Sequence, residues 1–257
     1  MPLSERPYLG GYSRNLYSGV KWLLIANFAV YIIYFVLLHS RFGGALPPLY
    51  LSPAEVVGRF RIWELFTYLF VHDVNGFGHI LFNMLALWMF GSELEQTWGT
   101  KRFLQYYFLC GIGAGVCVVI ANLLFGDPFS RTIGASGAIF GLLLAYGVLF
   151  PDRQVLFSFL FPIKAKYFVM ILGAIELLSS YASIGGPVSN IAHLGGMVIG
   201  YFYIRSQRAR NPFGRRQTSL WANIQGQYHE WKIQRARRKF QVYLKKQQGS
   251  DRDRRVH

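Results

Sequence analysis

Four side chains of this chain could do proton and hydrogen-bond chemistry together: Ser136, His193, His79 and Asn83. Ser136 sits in Ile133-Gly-Ala-Ser-Gly-Ala-Ile-Phe-Gly141, one hydroxyl between glycines at the mouth of an apolar run. A serine with open space around it can be a nucleophile, and imidazoles and amides move protons or donate hydrogen bonds. Each residue also has a plainer use. Small residues around a serine let membrane helices approach closely, a histidine near a helix start suits an interface, and His79 with Asn83 could bridge helices. The elements that carry them decide between these readings.

The chain of 257 residues is 53% hydrophobic and 15% charged, yet has a formal net charge of +15. A soluble domain carries roughly a quarter charged residues, so this composition indicates an integral membrane protein with cationic ends. Cys110 and Cys117 lie seven residues apart in one apolar run. Helix geometry puts them about 10 Å apart on one face, too far for a disulfide. Apolar segments fall at about 20–38, 78–97, 103–125, 136–150, 167–184 and 189–206. The first has no small-residue cleavage pattern after it and reads as a retained span. The fourth is shorter than the ~20 residues a span needs, so its start, Ser136, is expected below the membrane surface. The non-helical stretch 126–135 that reaches it is tolerated there only inside protein or beside water.

Charge orients these spans. Arg6, Arg14, Lys21, Lys101, Arg102, Arg153, Lys164 and Lys166 all fall on one side of a six-span arrangement. So does the tail from Arg205 to His257, with 15 Lys/Arg against 3 acids. The positive-inside rule puts both termini in the cytoplasm and the aromatic-rich loop 39–77 outside, partly in the interface. Spans two, four and six then enter from the outer face. His79 begins span two, Ser136 opens span four and His193 is about one turn into span six. At 1.5 Å per residue, all three lie within roughly 10 Å of the outer surface. Asn83 shares the face of His79 one turn deeper. Four polar groups in one layer of a bilayer mark function more readily than four separate accidents.

Other membrane chemistries lack their residues. The His229-Glu230 pair is followed three residues later by Ile233, so no His-Glu-x-x-His exists. Gly126-Asp127 follows Leu124-Phe125 and has no second membrane aspartate to pair with. Glu176 is the one mid-span acid in the last four spans, a weak signal for a transport path. No metal site and no cofactor is called for.

The pattern resembles the rhomboid intramembrane serine proteases. It is carried by Gly134-Ala-Ser-Gly137 with Phe140 and Gly141, and by His79-x-x-x-Asn83. Ala192-His193-x-Gly-Gly196 with Gly200, Gly91-Ser-Glu-Leu-Glu95 with Trp98-Gly99, and Leu160-Phe-Pro-Ile-Lys-Ala-Lys166 complete it. It covers about residues 15–205. The resemblance implies an all-α membrane protein, a six-transmembrane-helix rhomboid bundle with a short central fourth helix. It implies a Ser–His dyad without a third carboxylate: Ser136 as nucleophile and His193 as general base and then acid. His79, Asn83 and the Ser136 N–H would stabilise the oxyanion. Gly134 and Gly137 would leave room for the substrate backbone. Gly196 and Gly200 would let span six press on span four, and Phe140 would pack under the imidazole. The expected substrates are transmembrane proteins, cut near the outer face. One departure stands out: where the family often has Trp-Arg in the outer loop, this chain has Trp63-Glu64.

The expected organisation is a cytoplasmic segment 1–14, a catalytic domain 15–206 and a basic cytoplasmic tail 207–257, in a bacterial inner membrane. Trp221, Ile224, Tyr228 and Trp231 recur at helical spacing beside Lys232, Arg235, Arg237, Arg238 and Lys239. A basic C-terminal helix on anionic lipid is expected there, with no nucleic-acid partner. Two rivals stay open on sequence alone. One is a non-catalytic relative that escorts membrane helices, which would lack the serine or the histidine. The other is a small transporter, whose flux would survive Ser136→Ala.

Overall fold

The computed structural model describes residues 18–40, 49–157, 161–182 and 189–210. The chain divides into two units, Met1–Gln207 and Arg208–His257, and Ser136, His193, His79 and Asn83 all belong to the first. The expected segment 1–14 and the expected basic C-terminal helix around Trp221 to Lys239 lie outside the described residues.

The fold is mostly helical. Helix α1 spans Ser18–Leu38, and the short helices α2 (Pro53–Gly58) and α3 (Glu64–Thr67) follow it. Helix α4 (Phe77–Ala86) runs through a π-helical turn, Leu87–Gly91, into α5 (Ser92–Trp98). The remaining helices are α6 (Thr100–Phe125), α7 (Ser136–Leu149), α8 (Ala165–Ala182) and α9 (Ser189–Arg210). They lie over the apolar segments of the sequence. Among the described residues, α1 and α6 are long and apolar enough to cross a membrane, and α7 is a shorter apolar helix.

The molecule is greasy outside as well as inside. Trp22, Ile32 and Phe35 of α1 and Met170, Leu177 and Leu178 of α8 are exposed. Water would not tolerate apolar cover on this scale, whereas lipid requires it. The core is built on α6. Phe103, Tyr106, Tyr107, Cys110, Ala114 and Val118 are buried on a face with a recurrence of 3–4 residues. The cysteines are free. Tyr106 donates its hydroxyl to the Gly141 carbonyl of α7 (2.8 Å). Tyr68 donates to the Gly111 carbonyl (2.7 Å), so α6 is tied to the loop between α1 and α4 as well as to α7.

The described part of the loop between α1 and α4 is more structured than its sequence suggests. Leu51, Tyr68 and Leu69 are buried in the common core, and α2 and α3 both pack on α6. Glu64, standing where the resemblance suggests arginine, is fully buried. Its Oε2 accepts the Ser52 N–H (2.9 Å), and its Oε1 is 3.8 Å from an Arg61 guanidinium nitrogen. The acid therefore closes the backbone at the entry to α2. A second feature the sequence did not announce is an antiparallel hairpin between α7 and α8. Strand β1 (Gln154–Phe157) pairs with β2 (Phe161–Lys164), Gln154 opposite Lys164. Lys164 and Lys166 both reach Asp152 at its base, at 3.1 and 3.2 Å.

Candidate active site

The stretch before α7 is irregular but tightly stitched. Leu51 and Thr132 exchange both backbone hydrogen bonds at 2.9 Å. Ala54 N–H donates to the Pro128 carbonyl, and Gly134 N–H to the Tyr68 carbonyl. Gly134 has φ +109°, a conformation an L side chain rarely adopts. A Cβ there would also lie 2.9 Å from His79 Nε2. The chain can then turn sharply and start α7 at Ser136. As the first residue of the helix, Ser136 has an N–H with no intrahelical acceptor, at the end where the helix dipole is positive.

His193 reaches Ser136 from α9: its Nε2 is 2.8 Å from Ser136 Oγ. Both residues are partly buried. The approach of α9 depends on Gly196, where a Cβ would run into the Gly137 backbone carbonyl of α7. The glycines divide this work differently from the expectation. Gly200 faces the Tyr106 hydroxyl and Cys110 of α6, not α7. Gly137 is closed in by the Ala114 methyl, which a Cβ would approach to 2.7 Å. Gly137 is therefore in close helix contact, while at Gly134 it is the His79 ring that a Cβ would meet. Phe140, one turn along α7, stacks on the His193 ring at 4.1 Å between centroids and 6° from parallel.

His79 stands at the start of α4, beside Gly134. The Asp73 N–H points at its Nδ1 (3.4 Å), which makes Nδ1 the acceptor and leaves Nε2 to carry the hydrogen. That N–H is on the side of Gly134 and the entrance to α7. Asn83 is buried, and its amide donates to the His79 carbonyl one turn back (2.7 Å). The amide is thereby oriented by the same helix that carries His79.

Two residues near this cluster were not singled out for it by sequence reasoning. His72, in the loop before α4, lies ring to ring with His79 at 5.2 Å. Burial, reinforced by His79, pushes its imidazole down to about 4, so it is neutral at pH 7. Glu176 of α8 has Oε1 3.0 Å from His193 Nδ1. The sequence signal for Glu176 was present, a lone acid in an apolar span, but its helical position alone does not say which neighbour it meets.

Comparisons with known proteins give the family of the chain. A rhomboid-domain family model matches residues 59–209, more than half of the chain. The chain is 33% identical over 132 residues to the mitochondrial Rhomboid protein 1 of Saccharomyces cerevisiae, covering 49% of this chain and 37% of that one. It is 37% identical over 142 residues to Rhomboid protease GluP of Bacillus subtilis, 54% of this chain and 25% of that one. It is 28% identical over 143 residues to Rhomboid protease GlpG of Haemophilus influenzae, 56% and 68%. The matched part is thus well under half of the yeast and Bacillus relatives. With the helical membrane-type fold and the full length of the domain match, the chain belongs to the rhomboid family.

Proposed function

We propose that the chain is an intramembrane serine endopeptidase that hydrolyses peptide bonds in or near transmembrane helices, close to the outer membrane face. The observation that carries this reading is the 2.8 Å contact between His193 Nε2 and Ser136 Oγ, at the open start of a helix that begins below the expected surface. Residues 15–206 form the catalytic domain with six spans, α4 and α5 making the second. Both termini and the basic tail 207–257 lie in the cytoplasm, the tail on anionic lipid. The membrane is a bacterial inner membrane. The substrates are membrane proteins whose spans carry a small residue before the cut and weak helix formers after it.

In this mechanism Ser136 Oγ attacks the scissile carbonyl while its proton passes to His193 Nε2. The Nε2–H of His79, the amide of Asn83 and the N–H of Ser136 meet the oxygen on which charge develops. Collapse breaks the C–N bond, and His193 gives its proton to the leaving amine. Water then repeats the sequence on the acyl-enzyme, His193 taking its proton and returning it to Ser136. Phe140 keeps the imidazole plane fixed throughout.

The test uses the purified full chain in phospholipid vesicles with a designed single-span peptide. Ser136→Ala and His193→Ala are each expected to abolish cleavage, and a serine-reactive phosphonate to label the wild type at Ser136 alone. Undiminished cleavage by either variant would sink the dyad.

A further inference from the structure

Glu176 is the sole acid of α8, set among Ile175, Leu177 and Leu178, which all face outward into the apolar surroundings. A carboxylate at such a position is costly unless a partner compensates it. The partner is His193. Oε1 lies 3.0 Å from Nδ1, and the two side chains are only 14% and 16% exposed. The approach is oblique, an ion-pair distance more than an aligned hydrogen bond. Neither Nδ1 nor the second carboxylate oxygen, Oε2, has a hydrogen-bond partner among the described residues. Each group is therefore the other's nearest means of satisfaction.

The other groups facing His193 do not compete for Nδ1. Ser136 engages Nε2 from α7, and Phe140 covers the ring face. Among the described residues, His79 of α4 is the other titratable group in electrostatic reach. It is committed to Asp73 through its own Nδ1.

From this we infer that Glu176 is a positioning residue, acting on Ser136 through His193. The inference rests on the dyad reading and extends it to a third member supplied by a different helix. A carboxylate at Nδ1 keeps the ring hydrogen on that nitrogen. Nε2 is then left with the lone pair that receives the Ser136 proton. When that proton arrives, the carboxylate stays ionised and stabilises the imidazolium beside it. The resemblance implied a dyad without a third carboxylate, and here the third group comes from α8. Because α8 holds Glu176 and α7 and α9 hold the dyad, the alignment of His193 depends on where α8 sits.

The deciding experiment measures kcat and KM of the full chain in vesicles, using the same single-span peptide. The variants are Ser136→Ala, Glu176→Gln and Glu176→Asp. Glu176→Gln is expected to lower kcat about 10- to 100-fold with KM changed by less than about twofold, the range of a lost acid–base contribution. Glu176→Asp should recover part of kcat, since it restores the charge, while the thermal midpoints stay together. Wild-type kcat in Glu176→Gln, beside an inactive Ser136→Ala, overturns the role of Glu176 and leaves the dyad standing. Cleavage by Ser136→Ala instead overturns the dyad and this proposal with it. Should Glu176→Gln fold poorly, Glu176→Asp decides: no more active than a folded, inactive enzyme, it points to packing and overturns the inference.

Discussion

Phe140 contributes a flat surface and nothing else: no donor, no acceptor, only a ring parallel to His193 at 4.1 Å. An imidazole held on one side by a stacked ring has few orientations left, and a misplaced catalytic group costs rate steeply. Phe140→Ala is therefore expected to lower kcat about tenfold, with KM nearly unchanged and Phe140→Tyr close to wild type. Steady-state kinetics on the single-span peptide reads this, and an effect confined to KM would contradict it. Gly196 acts at the same scale by having no side chain. Its α-carbon lies against the Gly137 carbonyl, so the distance between His193 and Ser136 is fixed by backbone contact and not by adjustable side chains.

At the scale of elements, the loop between α1 and α4 is held by a buried acid. Burial pushes the Glu64 carboxyl above its ordinary range, while the Ser52 N–H and Arg61 pull it part of the way back. The folded chain thus holds that proton more tightly than the unfolded chain. Stability falls as pH rises from the unfolded value of about 4.3 through the raised folded value, and is flat above it. Glu64→Gln keeps an acceptor for Ser52 and carries no such proton. Its thermal midpoint should match or exceed the wild type at pH 7, the gap closing toward pH 4; a gap that widens on acidification would refute this. Glu64→Ala strands the Ser52 N–H and should cost about 1–3 kcal/mol. Little of this was legible in the sequence. Helix α1 and the helix through α4 and α5 appear almost where the apolar runs 20–38 and 78–97 put them, because span length is set by hydropathy alone. Leu51, Tyr68 and Leu69 look like interfacial loop residues until α6 is packed against them. Glu176 was visible as an unusual acid, but which helix it faces is a tertiary fact. The meeting of Ser136 and His193 could be expected from shared depth, whereas the separate duties of Gly137 and Gly200 could not.

Within the first unit, carboxylates and hydroxyl groups join helices alongside the apolar packing. Tyr146 donates to Glu93 (2.9 Å), which also holds Arg153 at 2.6 Å, joining α5 to the end of α7. Glu95 does more. Its two oxygens accept the Gly19 and Val20 N–H groups at 2.8 Å each, and Thr100 adds its hydroxyl at 2.5 Å. A carboxylate on the first N–H groups of a helix satisfies donors that the helix itself cannot, and complements the positive end of its dipole. Glu95→Ala strands two backbone donors and removes the acceptor of the Thr100 hydroxyl, and should lower stability by about 2–4 kcal/mol, read as the shift in detergent unfolding midpoint. A midpoint within error of wild type would show that water reaches this site.

That bond has a meaning for how the protein is made. The donors at Gly19 and Val20 are synthesised first, and their acceptor arrives some 75 residues later. Until Glu95 has been made, these two N–H groups at the start of α1 lack their acceptor. The order of synthesis thus leaves the start of α1 waiting, and its first turn closes only when a later part of the chain packs beside it.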